Sequence, residues 1–295
     1  MLILKSNWPE YELVDSGNGK RLERFGKYLL SRPDPQCIWK PRLIDSIWEG
    51  SDAKFIESMN KAERGRWIKS SDMPEKWLMK FMDLKIWVKL SPFKHTGVFP
   101  EQSEHWIWIA EKINNYHLKN KDTNKKLNIL NLFAYTGMTS LVCAKEGAYV
   151  THVDASRPTI GWARENQMVS QLESKPMRWI LDDAMKFVGR EIKRGVKYDG
   201  IIMDPPIYGH GPEGERWDFY ESMPQLLELC RQVLSVQPIF ILINAYAISA
   251  SFIMLENLLK DFNLPGNIES GELVLKEKDS DRLLSTGIFA RWSKE

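Results

Sequence analysis

Four apolar runs in the second half of the chain alternate with amphipathic stretches, and each run ends at a turn or an acidic residue. The runs are Ile129 to Phe133, Ala148 to Val153, Met177 to Leu181 and Tyr198 to Met203. Short, continuous apolar runs separated by helix-length segments are typical of parallel strands buried on both faces. The pattern predicts an α/β sheet with its ligand site at the carboxyl ends of these strands.

A short turn carrying a single glycine follows the first run. Residues 133–137 read Phe-Ala-Tyr-Thr-Gly, and a helical pattern continues beyond them. A glycine between strand and helix lets the backbone approach a ligand that a Cβ would block. The dinucleotide fingerprint uses three glycines to seat a pyrophosphate, and only Gly137 is present here. The turn therefore favours an adenosine-containing cofactor and accommodates a pyrophosphate poorly.

Acidic residues follow the next three runs. Asp154 can accept hydrogen bonds from both hydroxyls of a ribose, and its alternative role is to cap the following helix. The segment Asp182-Asp183-Ala184 offers a side chain that can accept from an adenine amino group. Asp204 precedes Pro205 and Pro206, which lack N–H donors and leave carbonyls facing the crevice. This acceptor-rich turn could bind an amino or imino group of a substrate. In the alternative interpretation, the prolines have only the structural role of ending the strand.

In these motifs the chain, from about residue 127 to residue 292, resembles a class I S-adenosylmethionine-dependent methyltransferase. More narrowly, it is similar to the bacterial 23S rRNA cytosine-5 and guanine-N7 methyltransferase family. Residues 96–102, Thr-Gly-Val-Phe-Pro-Glu-Gln, resemble the glycine-aromatic-acid-glutamine segment upstream of that family's catalytic domain. The resemblance implies that Gln102 lies near the cofactor.

The resemblance also implies a fold, a cofactor and a set of site residues. The fold is an α/β, Rossmann-like seven-stranded methyltransferase sheet in the order 3-2-1-4-5-7-6, and the catalytic site is formed by Asp204, Pro205, Pro206 and Tyr208. S-adenosylmethionine is the implied cofactor. The residues implied to bind it are Gln102, Phe133, Ala134, Tyr135, Thr136, Gly137, Asp154, Ala155, Ser156, Asp183, Ala184 and Asp204.

Two positions depart from the family pattern. Amino-group methyltransferases place an aromatic residue directly after the two prolines, whereas here Ile207 precedes Tyr208. Tyr208 can stack on an extruded base or pack as an aromatic lid on its own loop.

The rRNA cytosine-5 relatives carry a cysteine after the fifth strand, where this chain has Asn244-Ala-Tyr246. Cytosine-5 methylation needs a cysteine nucleophile, and Cys143 and Cys230 are expected in the core, so the sequence argues against that reaction.

The glycine-rich segment Gly209 to Gly214, followed by Trp217, is expected to be a mobile lid over the substrate. His210 within it is either a general base or simply exposed. The spacing of the histidines and cysteines does not match a metal site, so no metal is expected.

The first part of the chain is expected to form a small β-rich domain over residues 1–90. Asn18-Gly19 is a hairpin signal, and Arg21 to Gly26 and Tyr28 are expected to form one return strand. Residues 91–126 are expected to be a linker, a helix over Glu101 to His117 and a polar loop over Lys119 to Lys126. The apolar positions of that helix should cover the sheet; they are Trp106, Ile109, Ala110 and Ile113.

Charge is distributed unevenly along the chain. Residues 1–126 carry 23 Lys+Arg against 17 Asp+Glu, and residues 127–295 carry 18 against 22. Eight of the 12 tryptophans also lie in the first part. Basic and aromatic residues together can bind nucleic acid, although most of these tryptophans are expected to pack inside the fold.

The amino-acid composition indicates the type of protein and the compartment in which it is expected. Hydrophobic residues at 43% and charged residues at 27% are ordinary values for a globular protein. With three widely spaced cysteines and no apolar run of about 18 residues, we expect a cytoplasmic protein without disulfides or a membrane span.

The leading hypothesis is a methyltransferase acting on RNA, most naturally rRNA, with the first domain holding the substrate. The alternatives are a protein or small-molecule acceptor, or an RNA- or partner-binding protein that keeps the cofactor fold without turnover.

Overall fold

The computed structural model describes residues 1–57, 65–92, 94–120 and 126–294. Its strands, in chain order, are β1 Leu2–Lys5, β2 Tyr11–Gly17, β3 Lys20–Phe25, β4 Tyr28–Pro33, β5 Ala53–Ile56, β6 Arg66–Lys69, β7 Trp77–Phe81, β8 Leu84–Val88, β9 Asn128–Leu132, β10 Tyr149–Asp154, β11 Met177–Leu181, β12 Gly200–Met203, β13 Tyr208–His210, β14 Arg216–Asp218, β15 Phe240–Tyr246, β16 Asn267–Lys276 and β17 Leu283–Ser293. Its helices are α1 Asp45–Glu49, α2 Ser103–Lys119, α3 Met138–Lys145, α4 Arg157–Val169, α5 Ala184–Lys193, α6 Phe219–Val233 and α7 Phe252–Lys260, with a 3-10 turn at Pro100–Gln102. Most of the polar loop expected over Lys119 to Lys126 lies outside the described residues, as does Phe93 of the expected linker.

The chain divides into two compact units. The first, called the sheet unit, comprises Met1–Leu4, Glu104–Leu273 and Thr286–Glu295. The second, called the amino-terminal unit, comprises Lys5–Ser103 and Val274–Ser285. The expected domain boundaries near residues 90 and 126 stay predictions. The structure adds that a late segment of the chain, Val274–Ser285, belongs with the amino-terminal unit, which no local sequence pattern indicates.

A mixed eight-stranded sheet has the strand order β1-β16-β17-β15-β12-β9-β10-β11. Neighbouring strands from β15 to β11 are parallel, and β17 runs antiparallel to β15. The expected sheet had seven strands, and the eighth is the short edge strand β1. Because parallel strands end at the same edge, the carboxyl ends of β9, β10, β11 and β12 lie together. We call this the cofactor edge.

One face of the sheet is the apolar core beneath α5, α6 and α7. Alternate residues of the central strands point to this face, as the two-residue period of a strand requires. Among them are Leu130, Leu132, Ile201, Met203, Ile241 and Ile243, which pack against Phe187, Phe219, Met223 and Leu226. Every residue of β12 is buried. The strand expected from Tyr198 begins at Gly200, because Tyr198 pairs instead with Leu234 in an isolated bridge.

Helix α2 fulfils the sequence prediction of an amphipathic covering helix. Trp106, Ile109, Ala110 and Ile113 are all buried, and the Trp106 Nε1–H donates to Thr139 Oγ1 at 3.1 Å. A helix that buries one stripe in this way stabilises the sheet by removing apolar surface from water. None of the helices in the described ranges combines the length and apolar character needed to cross a bilayer.

The amino-terminal unit contains a five-stranded sheet in the order β2-β3-β4-β5-β6 and a separate hairpin of β7 and β8. The predicted Asn-Gly turn joins β2 to β3, and Asn18 (φ 50°) and Gly19 (φ 73°) both adopt the left-handed conformation that such a turn needs. The single return strand expected from Arg21 to Tyr28 is wrong. Gly26, at φ 62°, turns the chain so that β3 and β4 form two strands.

The tryptophans of the amino-terminal unit serve packing, as the sequence predicted. Trp8 and Trp77 are buried, and their indole N–H groups donate to the backbone carbonyls of Lys80 and Phe25 at 2.6 and 3.1 Å. The half-buried indoles are also held within the unit; Trp48, for example, donates to the Asp15 carboxylate at 3.1 Å. Since their N–H groups are used internally, these tryptophans are part of the fold.

A buried charge cluster organises the five-stranded sheet around Glu23. Its carboxylate accepts two hydrogen bonds from Arg32, at 2.6 and 2.7 Å, and one from the Tyr11 hydroxyl at 2.8 Å. Arg21 lies 3.3 Å away. Burial alone would raise the pKa of Glu23, but the two guanidinium groups and the hydrogen bonds outweigh it and hold the pKa below its usual range.

We predict that Glu23→Gln lowers the free energy of unfolding by about 3–5 kcal/mol, because it leaves the buried Arg32 guanidinium without its counter-charge. Arg21 keeps a second carboxylate, Asp34, at 3.8 Å. The matched control is Glu12→Gln in the same sheet. Glu12 pairs with Arg24 at 3.5 Å in a partly exposed position, so the loss there should be about 0–1 kcal/mol. Urea denaturation of both variants measures the difference, and equal losses would show that the Glu23 cluster contributes no more than a surface pair.

Candidate cofactor and acceptor site

The turn from β9 into α3 has an unusual backbone. Within the five residues between strand and helix, Phe133 (φ 57°), Tyr135 (φ 50°) and Gly137 (φ 89°) are all left-handed. The Gly137 N–H donates to the Ala134 carbonyl at 3.1 Å, which closes the turn. Residues other than glycine rarely take this conformation and do so at functional sites when their surroundings hold them there. We call Phe133 to Gly137 the glycine turn.

Helix α4 packs against the glycine turn. The Asn166 side chain donates to the Thr136 carbonyl at 2.9 Å. A Cβ on Gly137 would lie 2.9 Å from the Cβ of Ala163, which is closer than such atoms approach. Glycine is therefore required at 137 both by its backbone angle and by the close approach of α4.

Asp154 ties the glycine turn to the end of β10. Its Oδ2 accepts from the Tyr135 N–H at 2.8 Å, and its Oδ1 accepts from the Ser156 N–H and the Thr159 hydroxyl, both at 2.8 Å. Burial raises the pKa of Asp154, and these three hydrogen bonds partly offset that rise. A carboxylate offers about four acceptor positions, and the single Thr159 proton can go instead to the Ser156 carbonyl, also at 2.8 Å. Asp154 therefore keeps one or two acceptor positions, and its binding of both ribose hydroxyls stays a prediction.

Asp183 and Ala184 lie at the start of α5. The Asp183 Oδ1 accepts from the Lys186 N–H at 2.9 Å and caps the helix. Ala184 is the first helical residue and is buried. Asp182 pairs with Arg190, and its N–H donates to the Asp154 carbonyl at 3.1 Å. The structure thus brings Asp154, Ala155, Ser156, Asp183 and Ala184 to the cofactor edge, although part of the Asp183 carboxylate serves as a helix cap.

The Asp204-Pro205-Pro206 turn stands at the end of β12, next to the glycine turn. The Asp204 N–H donates to the Leu132 carbonyl at 3.4 Å, so the ladder between β12 and β9 continues through this residue. Pro205 is buried and Pro206 is exposed. The Pro206 carbonyl accepts the Trp217 indole N–H at 2.7 Å. The expectation that both proline carbonyls are bare is therefore wrong for Pro206, while the Pro205 carbonyl stays a candidate acceptor.

The segment expected to be a mobile glycine-rich lid forms a hairpin, and its mobility stays a prediction. β13 pairs with β14, with Tyr208 opposite Asp218 and His210 opposite Arg216. Trp217 is buried and its ring lies 4.8 Å from that of Phe133. Tyr208 is 68% exposed. The hairpin thus presents Tyr208 to solvent two residues after Pro206, and His210 is exposed as well.

The hairpin tip is tied to α5 by charge. Lys186 lies 2.9 Å from Glu213 and also pairs with Glu215. Glu215 in turn accepts from the Glu213 N–H at 2.9 Å. An exposed pair of this kind adds little stability, but it fixes the hairpin relative to the helix that Asp183 caps.

Gln102 is the remaining predicted cofactor residue. It ends the 3-10 turn Pro100–Gln102 and belongs to the amino-terminal unit. Its role beside the cofactor stays a prediction.

The three cysteines are unsuited to nucleophilic catalysis. Cys37, Cys143 and Cys230 are all buried. Burial raises the pKa of Cys230 to about 12 and raises the pKa of Cys143 further still. A thiol attacks as its thiolate, so these raised pKa values disfavour attack. The expectation that Cys143 and Cys230 are core residues is confirmed by their burial. Among the residues that the structure describes, no cluster of His, Cys, Asp and Glu side chains is arranged to hold a metal ion.

Sequence reasoning missed three residues that support the site. Thr159, Ala163 and Asn166 lie on one face of α4 and contact Asp154, Gly137 and Thr136 in turn. Their spacing of four and three residues is that of a helix face. The available signal was a hydroxyl, a small residue and an amide at helical spacing directly after Asp154.

The two glycines that flank α3 provide a matched pair for testing the turn. Gly147 has φ 92°, close to that of Gly137, but a Cβ there would find its nearest neighbour, the His117 Nε2, at 3.6 Å. We predict that Gly147→Ala costs about 1–2 kcal/mol of stability from backbone strain alone. Gly137→Ala should cost more because of its overlap with Ala163, and should also weaken S-adenosylmethionine binding. Urea denaturation and calorimetric titration test this. Equal stability losses with unchanged affinity would contradict it.

Comparisons with known proteins agree with this geometry. A crystal structure of the S-adenosylmethionine-dependent methyltransferase from Agrobacterium tumefaciens matches with a TM-score of 0.92 and 40% identity, covering 100% of this chain and 94% of that one. No protein-family model matches the chain.

Two curated relatives carry ribosomal names. Ribosomal RNA large subunit methyltransferase I of Aeromonas salmonicida is 29% identical over 187 residues, which is 63% of this chain and 42% of the relative. Ribosomal RNA large subunit methyltransferase K/L of Shewanella baltica is 25% identical over 219 residues, 71% of this chain and 29% of the relative. The chain thus spans less than half the length of either relative. Given the full-length match and the site geometry, the chain belongs to the S-adenosylmethionine-dependent methyltransferases.

Proposed function

We propose that this protein transfers the methyl group of S-adenosylmethionine to a base in RNA, with rRNA as its substrate. The observation that carries the proposal is the acceptor-rich turn at Asp204, followed by the exposed ring of Tyr208 on a hairpin. A carboxylate beside an open aromatic face is what a flipped base requires, since bases bind by edge hydrogen bonds and stacking. Two relatives named as ribosomal RNA methyltransferases support the choice of RNA.

The residues of the cofactor edge fit S-adenosylmethionine. Asp154 keeps at least one acceptor position beside the glycine turn, as a ribose hydroxyl requires. The strand ends also provide the Asp183 carboxylate. When bound, the sulfonium of the cofactor supplies an activated methyl group. We propose that Gln102, from the amino-terminal unit, and the backbone of the glycine turn complete the binding set.

The chain's own contribution to catalysis is positioning. Alignment of the reacting atoms can provide most of the rate when the electrophile is already activated. Asp204 and the Pro205 carbonyl would accept the N–H groups of the base and stabilise positive charge as its nitrogen is methylated. Tyr208 would hold the ring by stacking. The two remaining acceptor classes, protein and small molecule, would use the same edge, and the radiolabelling experiment below separates them from RNA.

We further propose that the amino-terminal unit recognises the RNA. The support is the excess of 21 Lys+Arg over 17 Asp+Glu in the residues of this unit, Lys5–Ser103 and Val274–Ser285, because phosphate contacts dominate nucleic-acid affinity. The tryptophans of this unit are engaged in packing, so recognition would rest on charge and shape rather than on indole stacking.

The decisive experiment supplies radiolabelled S-adenosylmethionine to rRNA, tRNA, protein and small-molecule fractions from cells that lack the gene. We expect label in rRNA, and nucleoside analysis then identifies the methylated atom. Asp204→Ala should lower transfer by about 100-fold or more while cofactor affinity stays within several-fold. Label confined to protein or small molecules would replace the proposed substrate, and unchanged turnover in Asp204→Ala would remove the catalytic assignment.

Tyr208 is tested by comparison with a second exposed tyrosine. Tyr208→Ala should weaken RNA binding by about 1–3 kcal/mol, the usual contribution of stacking to one base, whereas Tyr208→Phe keeps the ring and should behave like wild type. Tyr220, 49% exposed at the start of α6, is the control, and Tyr220→Ala should change neither binding nor transfer. Equal effects of both alanine variants would argue against a stacking role for Tyr208.

A further inference from the structure

A cavity of about 560 Å³ lies within the sheet unit, at the end of the sheet opposite the cofactor edge. Its lining residues stand at the amino ends of β9, β10 and β11 and in the turn before β12. The six residues of β10 separate this end from the cofactor edge by about 16 Å. The volume is within the roughly 300–1,000 Å³ range of small-molecule sites. We call it the Tyr149 cavity, and its walls include Asn128, Tyr149, Pro176, Met177, Arg178 and Val196.

Part of the cavity wall is aromatic and aliphatic. Tyr149 is the one exposed residue of β10, and 44% of it is open to solvent. The Lys126 Nζ lies 5.0 Å from the centre of the Tyr149 ring. Met177 and Val196 beside it are half-buried. An accessible aromatic ring next to a cation is an arrangement that binds nucleotides, because every base has a π-face that stacks and a phosphate near it.

A buried carboxylate holds the Arg178 guanidinium in the cavity wall. Arg178 donates from both Nη atoms to Glu191, at 3.0 and 3.3 Å, and its guanidinium lies 5.3 Å from the Phe187 ring. Glu191 also accepts from Arg194 at 2.8 Å and from the Tyr198 hydroxyl at 2.7 Å. The Arg178 side chain is nevertheless 45% exposed. A guanidinium has five N–H donors, so three remain for a ligand once the described contacts are counted.

The segments around the cavity are basic, although this half of the chain is acidic. The four segments that contain the lining residues carry five Lys and Arg and no Asp or Glu; they are residues 126–128, 149–151, 175–178 and 194–198. Residues 127–295 as a whole carry 18 Lys+Arg against 22 Asp+Glu. Glu191 and Asp199, which adjoin these segments, are buried, and two guanidinium groups share Glu191. The cavity therefore offers positive charge to an anion.

The aromatic wall and the guanidinium together select the ligand. A bare anion would leave Tyr149 and Met177 uncovered, and an apolar molecule would take water from Arg178 without replacing its hydrogen bonds. A nucleotide satisfies both requirements, because its base stacks on an aromatic ring and its phosphate accepts from a guanidinium. We propose that the Tyr149 cavity binds one nucleotide, with the base against Tyr149 and the phosphate on Arg178, at a second site separate from the cofactor edge.

The nucleotide has two possible sources, a free mononucleotide or one residue of an RNA strand. Both present the same base and phosphate to the cavity, so the experiment distinguishes them by the length of the probe. The inference does not depend on the acceptor proposed above, since none of its residues belongs to the cofactor edge.

The test is calorimetric titration of the whole chain saturated with S-adenosylhomocysteine, so that the cofactor edge is occupied. The probes are the four 5′-mononucleotides and a single-stranded RNA hexanucleotide. Tyr149→Ala should weaken binding by about 5- to 150-fold, as loss of base–aromatic stacking does, whereas Tyr149→Phe keeps the ring and should bind like wild type. Arg178→Gln should weaken binding by about 10- to 150-fold through lost charged hydrogen bonds, and should reduce its dependence on salt.

Each variant has a matched control in the sheet unit. Arg231 is also 45% exposed, and its guanidinium lies 5.3 Å from the Phe262 ring, but it does not line the cavity. Tyr220 is 49% exposed on α6. Arg231→Gln and Tyr220→Ala should bind both probes like wild type. Urea denaturation of all variants confirms that each one is folded under the conditions of the titration.

The outcomes separate the two sources and can overturn the site. Weaker mononucleotide binding in Tyr149→Ala and Arg178→Gln, with both controls unchanged, supports a free nucleotide as the ligand. Weaker binding of the hexanucleotide alone supports a residue of an RNA strand. The proposal is wrong if wild type binds neither probe, if neither cavity variant weakens binding, or if the controls lose as much affinity as the cavity variants. A wild-type protein that methylates no RNA would overturn the proposed function and leave these titrations unaffected.

Discussion

The reversal of the chain between β9 and α3 is the constraint on which the rest of the site depends. Three of five residues there are left-handed, and two of them, Phe133 and Tyr135, carry side chains. Such residues cost about 1–2 kcal/mol each, so the turn persists only because its surroundings stabilise it. Tyr135 gains a hydrogen bond to Asp154, Phe133 packs on Trp217, and Gly137 lets α4 approach. Asp154, Trp217 and α4 are therefore parts of one structure with the turn, since each supplies a contact that the turn needs.

Trp217 connects the glycine turn to the segment that contains Pro206 and Tyr208. Its ring packs on Phe133 of the glycine turn, and its indole N–H binds the Pro206 carbonyl. One side chain thus connects the glycine turn to the hairpin that presents Tyr208. A reaction limited by alignment benefits from this arrangement, because an error of about 1 Å between the reacting groups can cost a factor of about 100 in rate.

The sequence predicted the central strands well and their side-chain partners poorly. β11 was expected over Met177 to Leu181 and has those bounds, because a buried parallel strand is marked by its own apolar run. The carbonyl of Pro206 and the Asp183 cap depend instead on partners brought by other segments, which no local pattern reveals. The hairpin of β13 and β14 was read as a loop because glycine-rich, polar three-residue strands carry no period-two signal. The edge strand β1 was missed for the same reason, since four residues at a chain end are too few to define a pattern.

The chemistry available at the cofactor edge follows from which groups it lacks as well as from those it contains. Attack on a base carbon requires a nucleophile to activate the ring, yet the described cysteines are buried with raised pKa values, and the strand that would present one ends in Asn-Ala-Tyr. The groups that do meet there, the Asp204 carboxylate and the Pro205 carbonyl, are acceptors. Acceptors bind N–H groups, and a nitrogen that carries them has its own lone pair and needs no covalent activation. If the proposed substrate is an RNA base, the same physical argument that removes the carbon reaction therefore favours a nitrogen as the atom that receives the methyl group.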